Sequence, residues 1–152
     1  MAKIKVGFEE SEADKALFAA VAEGIAGLRK SFTDLAFSDG LEAWMRAVFA
    51  CNQYVDEQAP WTLRKTDPAR MEVVLMTLFR VVRDLAIAVR PVVPNSIDKL
   101  LDQMGIATEA RGYASLADAD WFTALAARGF KVEKPEGVFP RLELPEGTEA
   151  TA

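Results

Sequence analysis

Apolar residues in the first part of the chain recur at three- and four-residue spacing, which is the period of an amphipathic α-helix. The first predicted helix begins at Ser11, which can form a capping box with Asp14 three residues later. An apolar stripe follows on one face, from Leu17 to Leu35. The pattern therefore predicts a long helix that packs through this stripe.

A second apolar stripe follows after a short polar break. Ser38 or Asp39 is predicted to cap this helix, and Pro60 marks its end, because the residue before a proline is disfavoured in the helical conformation. Trp44 falls inside the stripe and is predicted to lie in the core. Trp61 comes directly after the helix end, so we predict that it lies in a loop that leads to the next helix.

The third predicted helix has the clearest boundaries in the sequence. Asp67 is its N-cap, Pro68 takes the first helical position, and Pro91 stops it after about 23 residues. Most of its faces are apolar, which predicts a central helix that is buried on most sides. Arg80 and Asp84 are four residues apart on this helix and can form an ion pair.

A fourth, shorter helix is predicted to start at Asn95 or Ser96 and to stop at Gly105. Helices in series with short connections form a bundle. The fold class is therefore predicted to be all-α, with a bundle of four main helices within residues 1–106.

The C-terminal part of the sequence has a weaker pattern. Residues 107–144 are predicted to form an irregular extension packed on the bundle, with a weak helical stretch at 118–127 in which Trp121 pins the extension down. Repeated proline and glycine residues favour an extended segment at 137–144. Residues 145–152 are predicted to be a disordered tail.

The composition limits the chemistry that this chain can perform. It contains no histidine, which removes the commonest general base, the commonest metal ligand and every serine–histidine or cysteine–histidine pair. The single cysteine, Cys51, excludes an internal disulfide and lies in an apolar helical pattern, as is typical of a buried thiol in a reducing compartment. Asp56 and Glu57 are adjacent on a helix and point about 100° apart, so they do not form a catalytic pair. We expect no catalytic residue and no metal site here.

Charge and hydropathy limit the partners. A net charge of −5 argues against nonspecific nucleic-acid binding, which needs many cations on phosphates. Any RNA recognition must therefore be local, and cations do cluster beside Trp61: Arg64, Lys65 and Arg70. No apolar run reaches the roughly 20 residues that a membrane helix needs, and no apolar signal segment follows the N-terminus. We expect a cytoplasmic protein with no membrane contact.

Trp61 has two interpretations from its local sequence. A tryptophan after a helix is most often a partly buried core residue. Pro60, however, fixes the chain direction and leaves the indole beside cations, an arrangement that suits stacking on an unpaired base. Arg64, Lys65 and Arg70 are either solvated side chains or contacts for an RNA phosphate near the N-terminus of the third helix, where the capping carboxylate competes for the same amides.

Three stretches of the sequence resemble methionyl-tRNA synthetases. The first runs from Asn52 to Lys65 and contains Gln-Ala-Pro-Trp followed by Thr-Leu-Arg-Lys. The second is the third helix with Pro-Val-Val-Pro at 91–94 and Leu-Leu at 100–101, and the third is Gly-Val-Phe-Pro-Arg-Leu-Glu at 137–143. They follow the family's order and about its spacing, and the Gln-Ala-Pro-Trp element is the most specific. The chain is thus similar to the helical domain that reads the tRNA anticodon in the bacterial enzymes.

The resemblance implies roles for individual residues. Trp61 would stack on an anticodon base, Pro60 and Asn52 would support this platform, and Arg64 or Lys65 would lie near a phosphate. The local interpretation of Asn52 is different: a buried or half-buried amide that ties the second helix to its neighbours.

The resemblance also implies what this chain does not do alone. The family's ATP-binding signatures are not found in the sequence, so ATP and methionine would bind a catalytic domain of the same parent chain. The expected partners are that domain and the anticodon loop of methionine tRNA. In the family an asparagine and an arginine on an earlier helix also contact the anticodon, and residues 1–3 are expected to be the end of that helix, which would leave apolar bundle surface uncovered.

An alternative from another class is a helical protein-interaction or assembly module. In that case the uncovered apolar surface would be a docking groove, and Trp61 would be its anchor. A small stand-alone enzyme has little support, because histidine, metal-ligand spacing and a glycine-rich phosphate loop are all missing from the sequence.

Overall fold

The structure is a computed structural model that describes residues 9–128 and 132–139. Within these ranges all regular structure is helical. The α-helices, numbered in chain order, are α1 (Glu12–Thr33), α2 (Phe37–Gln58), α3 (Pro60–Thr66), α4 (Pro68–Val89), α5 (Pro94–Gln103) and α6 (Trp121–Arg128), and short 3-10 helices span Thr108–Ala110 and Tyr113–Ala117. The all-α prediction is confirmed, and its four main helices are α1, α2, α4 and α5.

Helix α1 begins as its sequence predicts. The Ser11 hydroxyl accepts a hydrogen bond from the Asp14 backbone N–H at 3.3 Å, and Asp14 Oδ2 accepts one from the Ser11 N–H at 2.8 Å, which completes the capping box. The helix ends at Thr33, earlier than the apolar stripe suggests. Leu35 lies beyond it with φ of 60° and is exposed, so the stripe was extended too far.

Helix α2 begins one residue before the predicted caps. Ala36 is the N-cap, and its carbonyl accepts a hydrogen bond from the Gly40 N–H at 3.1 Å. Ser38 and Asp39 therefore lie in the first turn, and their predicted capping role is wrong. The free amides of this turn have no side-chain cap.

Helices α1 and α2 pack closely through small residues. A Cβ atom built on Gly24 would lie 2.6 Å from the Ala47 Cβ and 3.0 Å from the Ala43 carbonyl oxygen. A Cβ on Gly27 would lie 2.8 Å from the Ala43 Cβ. The two glycines, which weaken α1 as an isolated helix, are thus required by the close approach of its neighbour.

Helix α3 occupies the segment that was predicted to be a loop. Ala59 adopts the left-handed conformation, with φ of 43° and ψ of 63°, and ends α2. Pro60 then takes the first position of α3, where its fixed φ fits a helix and its missing N–H is not needed. The loop prediction was wrong because Pro60 was treated only as a helix end and not also as a helix start.

Helix α4 confirms its predicted boundaries. Asp67 Oδ1 accepts a hydrogen bond from the Arg70 N–H at 3.0 Å, Pro68 opens the helix, and the last helical residue is Val89, just before the turn at Pro91. Its side chains include the core residues Val74, Val81, Leu85, Ala86, Ile87, Ala88 and Val89.

The predicted Arg80–Asp84 pair on α4 is wrong. Arg80 Nη1 contacts Glu10 Oε1 at 3.1 Å, and its guanidinium lies over the Phe18 ring of α1. Asp84 pairs instead with the adjacent Arg83, whose Nη1 is 2.7 Å from the Asp84 Oδ1. Both arginines reach across to other parts of the chain, since Arg83 also donates to the Ser115 carbonyl.

Helix α5 starts at Pro94, with Val93 as N-cap, so the predicted caps Asn95 and Ser96 lie inside the first turn. The proline decides the start, as it does for α3 and α4. Gly105 follows the end of α5 with φ of 71°, a conformation that favours glycine, which confirms the predicted stop.

The core consists of two adjoining clusters, with Trp44 packed against both. One cluster joins α1, α2 and the first part of α4, and the other joins the second part of α4 to α5 and to Trp121. Trp44 is half-buried, and its Nε1–H donates to the Leu85 carbonyl at 2.9 Å. Its predicted place at the core is confirmed.

The C-terminal extension is pinned to the bundle through Trp121, as predicted. The Trp121 ring stacks near Phe79 of α4, with ring centroids 6.3 Å apart. The weak helical stretch predicted at 118–127 is α6. Residues 137–139 have no helix, whereas 140–144 and the tail 145–152 lie outside the described residues, so the predicted division into 1–106, 107–144 and 145–152 stays a prediction. No helix in the described ranges is long and apolar enough to cross a membrane.

Candidate functional site

Trp61 lies at the second position of α3 and is 59% exposed. Its ring makes no contact with another ring or with a cation in the part of the chain that the structure describes. Single exposed apolar side chains are common on protein surfaces, and Phe49 and Phe139 are exposed on this chain as well, so exposure alone does not mark a ligand site. Because most of the Trp61 side chain is exposed, the interpretation of Trp61 as a partly buried core residue is wrong.

Two cations share a face of α3 with Trp61. Arg64 and Lys65 follow it by three and four residues, so all three side chains lie on adjoining positions of one helix surface, and all three are exposed. Leu63 lies on the inner side and packs against the first core cluster. We call the exposed set Trp61, Arg64 and Lys65 the α3 platform. It combines a flat apolar face with two mobile positive charges.

Pro60 and Asn52, which were predicted to support this platform, differ in their surroundings. Pro60 is half-buried and sets the start of α3. Asn52 is exposed on α2, and its amide makes no hydrogen bond with the described part of the chain. The local interpretation of Asn52 as a buried amide tie is wrong, so the side chain remains open to a ligand.

Arg70, the third cation predicted near a phosphate, is bound inside the protein. Its guanidinium contacts Asp14 through Nη1 at 2.6 Å and Nη2 at 2.8 Å. Nη2 also lies 3.1 Å from the Ser11 hydroxyl and 2.7 Å from Gln58 Oε1. With 20% of its side chain exposed, Arg70 has a structural set of partners that Arg64 and Lys65 lack.

Asp14 is fully buried at the centre of this network. Burial by itself would raise the pKa of Asp14, but the hydrogen bonds from Arg70, Tyr54 and Ser11 together lower that pKa well below its usual range. Tyr54 is also buried, and its hydroxyl donates to Asp14 Oδ1. Burial and this bond raise the pKa of Tyr54. Asp14 is therefore ionised at neutral pH, and its contacts join α1 to Tyr54 of α2 and Arg70 of α4.

Sequence reasoning found Asp14 only as a capping residue and missed Tyr54 and Gln58. The partners of Asp14 are separated from it by 40 and 56 positions, and no local pattern links them.

The rest of the described chain offers little support for catalysis. No group of three histidine, cysteine, aspartate or glutamate residues is placed to hold a metal ion within the described ranges. Cys51 is buried, which raises the pKa of its thiol to about 11 and makes it a poor nucleophile. A groove of about 960 Å³ lies between α1 and the 3-10 helix Tyr113–Ala117, and its lining includes no residue of α3.

The chain is similar to one family of known proteins. Residues 4–150 match the family model described as the anticodon binding domain of methionyl tRNA ligase. The chain is 38% identical over 131 residues to a methionine–tRNA ligase of Brucella suis, which covers 86% of this chain and 24% of the ligase. It is 36% identical over 136 residues to a methionine–tRNA ligase of Rhizobium meliloti, which covers 90% of this chain and 26% of the ligase.

A solved structure with the same fold is the apo form of Mycobacterium tuberculosis methionyl-tRNA synthetase. The match has a TM-score of 0.79 at 31% identity, and it covers 93% of this chain and 28% of that chain. The chain thus spans about a quarter of the length of the relatives that it matches.

Proposed function

The chain belongs to the anticodon-binding domains of methionyl-tRNA ligases, and on that premise we propose that its α3 platform reads the anticodon of methionine tRNA. The observation that carries the proposal is the exposed Trp61 ring, which lacks an intramolecular ring or cation partner within the described residues. Recognition of single-stranded RNA commonly uses such aromatic faces, because unpaired bases stack on them.

The two cations of the platform suit the anticodon backbone. Arg64 and Lys65 lie in the last turn of α3, where positive charge is favoured by the helix dipole, and each is free to move its charged group toward a phosphate. Arg70 is left out of this proposal, because its guanidinium would have to break contacts with Asp14, Ser11 and Gln58 to reach RNA.

Pro60 and Asn52 support the platform in this proposal. Pro60 fixes the direction in which α3 leaves α2, and Asn52 places an open amide on the preceding helix that can hydrogen-bond a base edge. Together they add shape and hydrogen bonding to a stacking contact that alone accepts every base.

The parent protein, in the same proposal, is an ATP-dependent ligase that charges tRNA with methionine in the cytoplasm. ATP and methionine bind its catalytic domain, and the present chain tests the anticodon. One stacked base contributes about 1 to 3 kcal/mol, whereas association costs an estimated 4 to 15 kcal/mol in lost freedom of motion. The platform therefore acts mainly as a specificity test on a tRNA that is also held elsewhere.

The test is a titration of a fluorescently labelled anticodon stem-loop, followed by RNA anisotropy. One loop carries CAU, and the control loop is altered at the first anticodon base. We expect wild type to prefer CAU, Trp61→Ala to lose about 1 to 3 kcal/mol of binding free energy to CAU, and Trp61→Phe, which keeps an aromatic face, to lose less. Equal binding of both loops by wild type, or no effect of Trp61→Ala, would overturn the proposal.

The cations are tested in the same titration at several salt concentrations. Removing one phosphate contact should reduce the slope of log affinity against log salt by about 0.7, the value for single strands. We expect this for Arg64→Ala and for Lys65→Ala. Lys99→Ala, which removes an exposed cation on α5, is the matched control and should leave the slope unchanged. Reversible self-association with no response to RNA would favour an assembly module.

A further inference from the structure

Arg70 contacts the residues on both sides of α3. Its Nη2 lies 2.7 Å from Gln58 Oε1, and Gln58 is the last residue of α2. Its backbone N–H donates to Asp67 Oδ1 at 3.0 Å, and Asp67 is the C-cap of α3. The α3 segment between Gln58 and Asp67 is thus held at its two ends by one residue.

The side chain of Arg70 is itself fixed. Two of its nitrogens donate to the two carboxylate oxygens of the buried Asp14, which is a bidentate arginine–carboxylate pair. Asp14 is locked in turn by Tyr54 and by the capping box with Ser11. Gln58 therefore contacts a guanidinium whose position is fixed by its other partners.

Within the described residues, helix α3 has little other packing against the rest of the bundle. None of its residues is buried, and Leu63 packs only partly into the first core cluster. The Asp67 N–H closes the helix by donating to the Leu63 carbonyl at 2.8 Å. With so little apolar packing, the direction of this short helix depends strongly on how its ends are held.

We propose that Arg70, anchored on Asp14 and bound to Gln58 and Asp67, is a positioning residue that sets the orientation of Trp61 for the anticodon base. We call these four residues the Arg70 clamp. The proposal rests on the proposed function for its consequence in RNA binding, but the orientation of Trp61 is a property of the free protein. It replaces the direct phosphate contact predicted for Arg70 with an indirect role.

The test uses Gln58→Leu, which removes the amide acceptor, retains similar volume and leaves the Arg70–Asp14 pair in place. Gln53→Leu is the matched control, because Gln53 is on the same helix and its amide donates to the exposed Glu57 at 2.7 Å rather than to Arg70. Both proteins are labelled with 5-fluorotryptophan and examined by ¹⁹F NMR without RNA. The Trp61 resonance is the one that disappears in Trp61→Phe, and the two that remain belong to Trp44 and Trp121.

We expect Gln58→Leu to shift the Trp61 resonance and to slow its transverse relaxation, while the resonances of Trp44 and Trp121 keep their positions. The Gln53→Leu protein should give the wild-type Trp61 resonance. In the RNA titration, Gln58→Leu should bind the CAU loop about five- to tenfold more weakly, which is part of the contribution of one stacked base. Arg70→Lys, which keeps the charge but loses the fork, should change both readouts in the same direction.

An unchanged Trp61 resonance in Gln58→Leu would overturn the clamp. Tighter RNA binding by Gln58→Leu would also overturn it, because a guanidinium released from Gln58 and free to contact a phosphate would explain that result. A failure of the proposed function would give a different result, because the stem-loop titration would then be insensitive to Trp61→Ala. The Trp61 resonance of the free protein would still show whether the Arg70 clamp orients Trp61.

Discussion

Trp61 and Trp121 are the same side chain in opposite circumstances. Trp121 is half-buried, stacks near Phe79, and has the Arg83 guanidinium carbon 4.3 Å from its ring centroid. Trp61 is mostly exposed, and the cations nearest to it in sequence, Arg64 and Lys65, do not lie over its ring. Trp121 has its aromatic and cationic partners within the chain, whereas Trp61 has an open ring beside open cations.

The difference shows what makes an aromatic residue available to a ligand. Both tryptophans follow a segment boundary and both have arginines nearby, so local composition does not separate them. They differ in tertiary partners: α4 passes under Trp121 and provides Phe79 and Arg83, whereas α3 places Trp61 on its outer side. Two ion pairs that involve α4 show a similar contrast, because Asp14, the partner of Arg70, is fully buried, whereas Asp84, the partner of Arg83, is partly exposed.

The largest expected effect is that of Trp121→Ala on stability. We expect a loss of about 3 kcal/mol in the free energy of unfolding, at the low end for truncation of a large aromatic because Trp121 is only half-buried. Urea unfolding followed by circular dichroism measures it. Preference for the CAU loop should persist in the folded protein. A change below about 0.5 kcal/mol would show that the extension does not depend on this contact.

An intermediate effect is expected at the ion pairs Arg70–Asp14 and Arg83–Asp84. In Asp14→Asn the new amide must face donors of Ser11, Tyr54 or Arg70, so we expect a loss of about 2 kcal/mol, measured by urea unfolding at pH 7. Asp84→Asn should have a smaller effect, because the Asp84 side chain is 31% exposed to water and Arg83 keeps its hydrogen bond to the Ser115 carbonyl. Equal losses would contradict the contrast.

The pH dependence separates the same two carboxylates. The pKa of Asp14 is lowered in the folded state, so its stabilisation is present above the unfolded pKa of about 4 and is lost as the pH falls below it. Asp14→Asn should therefore lose less stability than wild type between neutral pH and pH 2. The folded pKa of Asp84 is raised, so its protonation at low pH removes the cost of burying a charged carboxylate. Asp84→Asn lacks this gain, so its free energy of unfolding should fall more steeply than that of wild type as the pH is lowered.

The smallest effect is expected for Trp61→Ala on stability. Because the ring is exposed and lacks described ring or cation partners, we expect the free energy of unfolding to change by less than about 0.5 kcal/mol. Urea unfolding beside Trp121→Ala provides the comparison. A loss as large as that of Trp121→Ala would mean that Trp61 is a structural residue.

Much of the fold could be predicted from local signals. The capping box at Ser11 and the Asp67–Pro68 start of α4 are decided by residues within one turn, and the structure confirms both. Proline was the main source of error. Pro60 was treated as a helix end, and the helix after Pro94 was predicted to start at Asn95 or Ser96, but each proline opens the helix that follows, because its fixed φ is suited to the first turn.

The platform was partly predictable and its support was not. The proximity of Trp61, Arg64 and Lys65 follows from their spacing, so sequence reasoning grouped them, although it placed them in a loop. The same reasoning grouped Arg70 with them, because nothing near it in sequence shows that it pairs with a carboxylate 56 positions away. The Arg80–Asp84 pair was wrong partly for the same reason, since Arg80 pairs with distant Glu10, whereas Asp84 pairs with its sequence neighbour Arg83.

The close approach of Gly24 to Ala47 has a consequence for how this sequence can vary during evolution. The position has no room for even one added methyl group, because the added carbon would collide with the Cβ and backbone atoms of α2. Substitution there cannot be compensated by a rotamer change and would need a simultaneous shift of a whole helix. We therefore expect that Gly24, unlike the exposed positions around it, is not replaced by any single substitution. Replacement would need paired changes on both helices.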